Sequence, residues 1–474
     1  MRAHWLAGVS SIFGACVVAE LVAASSIDVT GHPMILDEAR LVTTQGIADR
    51  RTGTLTPAAL SHDGRLIAFV AQDRSVSGPL CCQHVYTLDR STGLTTLESI
   101  SPDGSRANGD SQGPALSSDG QILAFETFAS NLVRGDMPLG SRRVVVRDRR
   151  SGLLRTPAGP LQETPNGDSG QPVVAGSGIA VAFTSAATNL VAEPDGNGNQ
   201  TDIYLWQLED ATITRVSVDS NGAQPLLGTS YSPTLSSDGK RIAFVSTARL
   251  APEDTNDVPD VYIRDLQRGV TSLASAATGT RPSNAPSYWP QLSADGRYVA
   301  FVSKSATLAP RDRNQDSDVF VYEVATRSIT LVSATAPGET ANALSSRPAI
   351  SADGRYVVFQ SVASNLRTRR GCPPRASDEN LLPDVYLLDR TTGCVMRISG
   401  SPTREWWTPS VAPAISGSGN IVAFSSSQPI SEDDVTTDFD LFVSIRTESR
   451  TAPACRTLSV ARSCAAEAGP TSRR

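Results

Sequence analysis

Aromatic, amide and guanidinium side chains in several parts of this sequence could form a ligand-binding pocket. Aromatic rings supply apolar walls, and an arginine supplies a cationic anchor for an acidic or planar group. The candidate binding residues are Gln112, Gln171, Tyr231, Tyr288, Trp289, Arg347 and Trp407. The alternative is that these side chains only pack between neighbouring structural units, and the sequence leaves both interpretations open.

A second pattern, Asp-x-Asn-x-x-x-Asp, places oxygen ligands in several loops. It occurs at Asp254/Asn256/Asp260, Asp312/Asn314/Asp318 and Asp378/Asn380/Asp384, and a related loop contains Asp195, Asn197, Asn199 and Asp202. Calcium takes roughly six to eight oxygen ligands, so the Asp195 loop is the foremost candidate for weak Ca²⁺ binding. The alternative is that Asp and Asn cap their own loop backbone, which recurrence in several loops favours.

Residues suited to catalysis are sparse. The histidines are His4, His32, His62 and His84, and no Gly-x-Ser-x-Gly nucleophile motif occurs. General acid–base catalysis needs carboxylates or histidines within hydrogen-bonding reach of the substrate. The loop carboxylates Asp110, Asp168, Glu339 and Glu405 keep open an alternative function as a glycan-active hydrolase or lyase.

The elements that must position these residues are short β-strands. Tyr288–Ala294 leads into Asp295-Gly296, which favours a tight hairpin because a type I′ turn needs positive φ at both central residues. The β-branched and aromatic run Arg297–Ser303 predicts a buried strand. After a long loop, DVFVYEV and SITLVS predict two more strands. Four antiparallel strands in about 50 residues are typical of one blade of a β-propeller.

This unit is repeated seven times along the chain. A proline is predicted to open strand one, a phenylalanine lies in strand two, and an aspartate usually begins strand three. The recurring phenylalanines are Phe69, Phe125, Phe183, Phe244, Phe301, Phe359 and Phe424. With seven repeats of about 58 residues, the sequence predicts an all-β fold: a seven-bladed β-propeller of four-stranded antiparallel blades over residues 39–446.

The seventh repeat lacks an obvious fourth strand after Phe442. Ala39–Gly46 resembles a fourth strand and its exit, so we expect an N-terminal strand to complete the last blade and close the ring. Closure would remove exposed sheet edges. Arg456–Val460 is a rival for this place.

The order of strands in a blade also predicts where the candidate residues lie. Strand one lines the central channel, while the loops between strands two and three and the connections between blades emerge at one end. The short Asp-Gly turns emerge at the other end. Long variable loops usually carry function, so we expect the binding residues at the end with the long loops.

The repeat resembles that of the TolB-like, WD-like propellers of exported bacterial proteins. The residues that carry the resemblance are SADGRYVAF from Ser293, the Asn-Leu pairs Asn131-Leu132 and Asn365-Leu366, and the Asp-Val-Tyr that begins strand three. The resemblance covers roughly residues 40–445. It implies a propeller fold and a place in the cell envelope.

The ends of the chain and its cysteines point to export. Residues 1–24 combine Arg2, an apolar run and a Val22-x-Ala24 cleavage site, which predicts a signal peptide. Lipid attachment at Cys16 is disfavoured because Phe13 fits that motif poorly. The remaining cysteines are Cys81, Cys82, Cys372, Cys394, Cys455 and Cys464, of which the last two lie in an Ala/Arg/Ser-rich tail over residues 447–474. Their even number predicts disulfides whose pairing the sequence leaves open.

A net charge of −6 argues against a nucleic-acid surface. No segment after the signal peptide is long and apolar enough to span a bilayer. We therefore expect an exported, non-catalytic binding or scaffold propeller in the periplasm or outside the cell. Its long-loop end would face a protein or glycan partner of the cell envelope, and it would need no cofactor beyond a weakly bound Ca²⁺.

Overall fold

The computed structural model describes residues 34–36, 40–41, 50–51, 56–73, 82–133, 140–277, 281–308, 314–335, 339–366, 378–399, 407–427 and 439–448. Every regular element within these ranges is a β-strand. No helix in this part of the chain has the length and hydropathy needed to cross a membrane. The predicted signal peptide, Cys16 and Arg456–Val460 lie outside the described residues.

The chain opens with the short strands β1 (Met34–Leu36) and β2 (Arg40–Leu41). Blade 1 contains β3 (Arg50–Arg51), β4 (Ala59–Leu60), β5 (Leu66–Asp73), β6 (Gln83–Asp89) and β7 (Leu94–Leu97). Blade 2 contains β8 (Ser111–Leu116), β9 (Ile122–Thr127), β10 (Arg143–Asp148) and β11 (Leu154–Arg155). Blade 3 contains β12 (Ser169–Val174), β13 (Ala180–Ser185), β14 (Asp202–Gln207) and β15 (Ile213–Arg215).

Blade 4 contains β16 (Ser230–Leu235), β17 (Arg241–Ser246), β18 (Asp260–Asp265) and β19 (Val270–Leu273). The hairpin β20 (Ala276–Ala277) and β21 (Arg281–Pro282) follows. Blade 5 contains β22 (Ser287–Leu292), β23 (Tyr298–Ser303), β24 (Asp318–Glu323) and β25 (Ser328–Leu331). Blade 6 contains β26 (Ser345–Ile350), β27 (Tyr356–Ser361), β28 (Asp384–Asp389) and β29 (Cys394–Arg397). Blade 7 contains β30 (Ser410–Ile415), β31 (Ile421–Ser426) and β32 (Asp440–Glu448).

Within each blade the strands pair antiparallel in sequence order, as in β16-β17-β18-β19. The predicted seven-bladed propeller of four-stranded blades is therefore confirmed. In blade 7 the outer edge of β32 pairs with β1 and β2, with Arg40 opposite Val443 and Leu41 opposite Phe442. The N-terminal strands thus occupy the place that the fourth strand takes in the other blades.

Apolar side chains from neighbouring blades form seven separate core clusters, one at each junction. The cluster between blades 7 and 1 joins Phe69 and Tyr86 to Ile421 and Val443, so the ring is closed by packing. In six blades the ring of the strand-two phenylalanine stacks on the aromatic residue opposite it in strand three, with centroids 5.7–6.0 Å apart. Such cross-strand pairs stabilise a sheet and explain why these positions recur.

The turns between strands one and two also join the blades. At each junction a backbone N–H in one turn donates to a backbone carbonyl of the turn in the next blade, over 2.8–3.1 Å. The seventh of these bonds runs from Ser418 N to His62 O, from blade 7 to blade 1. This continuous ring of hydrogen bonds surrounds one mouth of the channel, which we call the turn end; the opposite mouth, where each first strand begins, is the loop end.

The turns themselves differ from the predicted type I′ geometry. In the turn of blade 6, Gly354 N–H donates to Ser351 O at 3.0 Å, and only Gly354, with φ of 72°, has a left-handed backbone. The Asp353 carboxylate instead accepts from Ser351 Oγ at 2.6 Å and from Arg355 N at 2.9 Å. The aspartate therefore serves as a hydrogen-bond acceptor, and only the glycine is required for its left-handed backbone conformation.

Two of the seven cysteines lie within the described residues. Cys82 and Cys394 each form a disulfide bond. The other five cysteines lie outside the described residues, so the pairing that the sequence leaves open stays open.

Candidate functional site

A β-bulge in the innermost strand shapes the loop end of the channel. In blades 2 to 7 the pairing of strands one and two shifts register around the recurrent proline. The proline therefore lies in the middle of strand one, and the prediction that it opens this strand is wrong. The residue before it has positive φ in each of these blades: Gly113, Gln171, Ser232, Trp289, Arg347 and Ala412, with φ of 50–59°. Left-handed backbone in non-glycine residues costs free energy and is often found at functional sites.

An aromatic arc, which we define as Tyr231, Tyr288, Trp289 and Arg347, spans blades 4 to 6. The rings of Tyr288 and Trp289 lie 6.4 Å apart at 53°, and the Arg347 guanidinium lies 5.9 Å from the Trp289 ring centroid. Trp289 is 45% exposed. The structure thus brings together four of the predicted binding residues from three blades.

The members of the arc are not equally accessible. Tyr231 and Tyr288 pack against the core between blades 4 and 5, and burial, followed by the neighbouring Tyr288, raises the pKa of Tyr231. Burial also lowers the pKa of Arg347. The arc therefore presents one exposed ring, that of Trp289, with a cation held against it and two partly buried phenols behind.

A polar arc, which we define as Gln112, Glu126 and Gln171, forms the wall at blades 2 and 3. Glu126 is buried and accepts from Gln112 Nε2 at 3.0 Å and from the bulged Gln171 N–H at 2.8 Å. Its Oε2 atom also lies 3.6 Å from Arg142 Nη1. Gln171 Oε1 in turn accepts from the bulged N–H of Ser232 at 2.8 Å. Side chains of one blade thus satisfy the backbone donor that the bulge of the next blade releases.

Sequence reasoning missed Glu126, because it considered only strand one as the channel lining. Glu126 belongs to strand two and lies beside Gly113 and Gly170; at Gly170 an added Cβ would occupy the space of the Glu126 carboxylate. The sequence did contain a signal for this residue, because Glu126 is the one charged residue in the strand ILAFET.

Two of the loop carboxylates proposed for catalysis accept hydrogen bonds from backbone N–H groups. Asp110 accepts from Gln83 N–H at 2.7 Å, and Asp168 accepts from Arg142 N–H at 3.2 Å. Both donors lie at the entrance to a third strand, so each carboxylate fixes a neighbouring blade. Glu339 is exposed, and Glu405 lies outside the described residues.

Exposed apolar side chains are frequent on the loops of the loop end. They include Leu226 (75%), Leu227 (82%), Leu381 (68%) and Trp407 (68%). Trp407 lies in the connection into blade 7, two blades from Trp289, so it is not part of the aromatic arc. A contiguous exposed apolar patch marks an interaction face, whereas single exposed apolar residues are common on any protein surface.

The loop proposed for calcium brings three of its four predicted ligands together around a side-chain amide. Gln224 Nε2 lies 2.8 Å from Asp195 Oδ1, 2.9 Å from Asn197 Oδ1 and 2.8 Å from Asp202 Oδ2. Asn199 is exposed. Asp202 also accepts from Ser217 Oγ at 2.6 Å, and burial raises its pKa. The place where an ion would sit is thus taken by the amide nitrogen.

No protein-family model matches this chain, and no curated protein matches it. Similar solved structures include a protein described as TolB from Agrobacterium tumefaciens (16% identity, 75% of this chain and 95% of that one, TM-score 0.40). They also include the propeller domain of the trilobed protease from Pyrococcus furiosus (10%, 87% and 96%, 0.48) and TolB from Acinetobacter baumannii (15%, 81% and 81%, 0.35).

The sheets of this chain define a seven-bladed β-propeller. TolB proteins are among the solved structures to which it is similar. The sheets confirm the propeller fold that the repeat predicts, and the likeness to TolB structures extends no further than the fold.

Proposed function

We propose that this protein is an exported, non-catalytic binding propeller whose partner binds at the loop end of the channel. The observation that carries the proposal is the aromatic arc, in which blades 5 and 6 bring the exposed Trp289 ring and the Arg347 guanidinium within 5.9 Å. Tryptophan, tyrosine and arginine are the side chains that contribute most to binding energy at interfaces.

The partner should present an apolar or planar group together with an acidic one. The Trp289 ring would contact the apolar group, and the Arg347 guanidinium would attract a carboxylate or a sulfate. The apolar loops that carry Leu226 and Leu381 extend the surface beyond a small pocket. This combination favours a protein or glycan partner of the cell envelope, in the periplasm or outside the cell.

Photo-crosslinking in the secreting cell tests the proposal. A photoreactive amino acid at position 289 should give a discrete adduct that disappears when Arg347 is changed to alanine. The matched control is the same probe at Ile179, which is 49% exposed but lies at the turn end. A shared adduct at both positions, or an adduct at 179 alone, would contradict the assignment of the loop end.

A second candidate function, a glycan-active hydrolase or lyase, is favoured only by Glu126. A buried carboxylate beside Gln112 and Arg142 in the channel wall could act as a general acid or base. Release of reducing sugar from envelope glycans by the wild type, and its loss in Glu126→Gln, would support this function over the binding role.

A further inference from the structure

Blades 4 and 6 contain the same buried acidic pair where strand three begins. In blade 6, Tyr386 donates to Asp378 Oδ2 at 2.8 Å, and Ser399 donates to Asp384 Oδ1 at 2.5 Å.

In blade 4, the Tyr262 hydroxyl donates to Asp254 Oδ2, and Ser275 donates to Asp260 Oδ1 at 2.6 Å. The two sites therefore share their carboxylates and two of their donors.

The two sites differ in the residue opposite the tyrosine. In blade 6 this residue is Arg397, whose Nη1 atom lies 3.2 Å from Asp384 Oδ2. Blade 3 also has an arginine here, since Arg215 faces Tyr204 and its Nε atom lies 3.8 Å from the Asp202 carboxylate.

In blade 4 the residue opposite Tyr262 is Leu273. Asp260 Oδ2 is buried there, and within the described part of the chain it accepts no hydrogen bond.

Because Leu273 takes the position of Arg397, no guanidinium faces the buried acidic pair of blade 4 from that position. Asp260 is fully buried and Asp254 is 6% exposed. Carboxylates in the interior are strongly unfavourable as charged groups unless a cation or hydrogen-bond donors pair with them.

A cleft that is open to solvent reaches one member of this pair, Asp254. An open cleft of about 600 Å³ is lined by Asp254 together with Asp219 and Glu253. Arg249 and Arg327 also line it, and Arg249 is paired with Asp257 at 2.8 Å. Asp219 and Glu253 line the same cleft as Asp254, so they favour the approach of cations to it, which Arg327 partly opposes.

We propose that blade 4 binds a calcium-like divalent cation between Asp254 and Asp260, in the place that the Arg397 guanidinium takes in blade 6. Carboxylate oxygens are hard ligands, and two of them balance the charge of a divalent ion. Loop carbonyls and water would complete the coordination. The site lies one blade beyond the Asp195 loop, where Gln224 already provides the donor.

Thermal unfolding of the chelator-treated full chain with added CaCl₂ tests the proposal, with binding measured by calorimetry. Calcium at a hundredfold excess over its Kd should raise the Tm of the wild type by about 3 °C. Asp260→Asn should abolish both the shift and the heat. The matched control, Asp202→Asn in blade 3, should keep both, because Arg215 and Gln224 already serve that aspartate.

The variant Leu273→Arg gives blade 4 the arginine that blade 6 has. It should melt higher than the wild type without calcium and should no longer respond to the ion. If that variant fails to fold, Asp260→Asn still decides. A wild type that shows neither shift nor heat, or a response lost in Asp202→Asn and kept in Asp260→Asn, would overturn the proposal.

Discussion

Replacing Arg397 with leucine should destabilise the propeller by about 3–5 kcal/mol, the usual cost of removing one partner from a buried ion pair. The Arg397 and Asp384 side chains are only 4% and 2% exposed, and their charged atoms lie 3.2 Å apart. Asp378 lies close enough to raise the pKa of Asp384, so the variant would leave two carboxylates in the interior.

The expected change in melting temperature follows from the size of the domain. An unfolding entropy of about 2.1 cal/mol/K per residue over about 400 residues gives about 0.8 kcal/mol/K. A loss of about 3–5 kcal/mol then corresponds to a decrease of about 4–6 °C in Tm.

Calorimetric melting in chelator at pH 7.5 measures this loss. The double variant Arg397→Leu/Asp384→Asn should recover most of the stability, because it removes the unpaired charge as well. A single variant that melts within 1 °C of the wild type, or a double variant no more stable than the single one, would refute the reasoning.

The loss of stability caused by Arg397→Leu should also depend on pH. Burial is the largest cause that raises the pKa of Asp384 to about 6 from 3.8, and Ser399 and Arg397 lower it. Without Arg397 the pKa in the folded state rises further. A carboxyl whose pKa is raised by folding binds its proton more tightly in the folded state, so the stability it contributes increases as pH falls through that pKa toward 3.8. The difference from the wild type should therefore be largest above pH 7 and shrink toward pH 4.

Deleting residues up to Gln45 removes β1 and β2 from β32 and should destabilise the domain by several kcal/mol; an unchanged Tm would count against it. In a variant that already carries Asp260→Asn, and so lacks the site proposed in blade 4, calorimetry should detect no heat of calcium binding at the Asp195 loop. The further change Gln224→Ala frees its oxygens and should allow weak binding, with a Kd of roughly 10⁻⁴–10⁻³ M; a flat titration would leave this loop with a structural role only. Gly354→Ala should lower Tm more than Gly93→Ala. The new Cβ at position 354 would lie 2.2 Å from Tyr298 Cδ2, whereas Gly93 has the same left-handed φ but no atom within 4 Å of its added Cβ. Equal losses would mean that the close approach is relieved without cost.

The sequence determined the number and content of the blades. Each blade is built from contacts between strands that follow one another along the chain, so the marks of the fold are local. The phenylalanine of strand two, the Asp-Gly turn and the aspartate of strand three recur because most blades use the same ring stack, the same turn acceptor and the same hydrogen bond from a serine. Phe359, Asp353 and Asp384 in blade 6 illustrate all three.

Only the tertiary structure decided what surrounds the candidate sites. Gln224 fills the predicted calcium position from a separate connection, and Glu126 reaches the channel wall by contacting the next blade. The significance of Leu273 became visible only when strand pairing placed it opposite Tyr262, as Arg397 is opposite Tyr386. Local patterns repeat because each blade must fold in the same way, whereas charge balance and ligand contacts depend on side chains that meet only when the blades pack side by side.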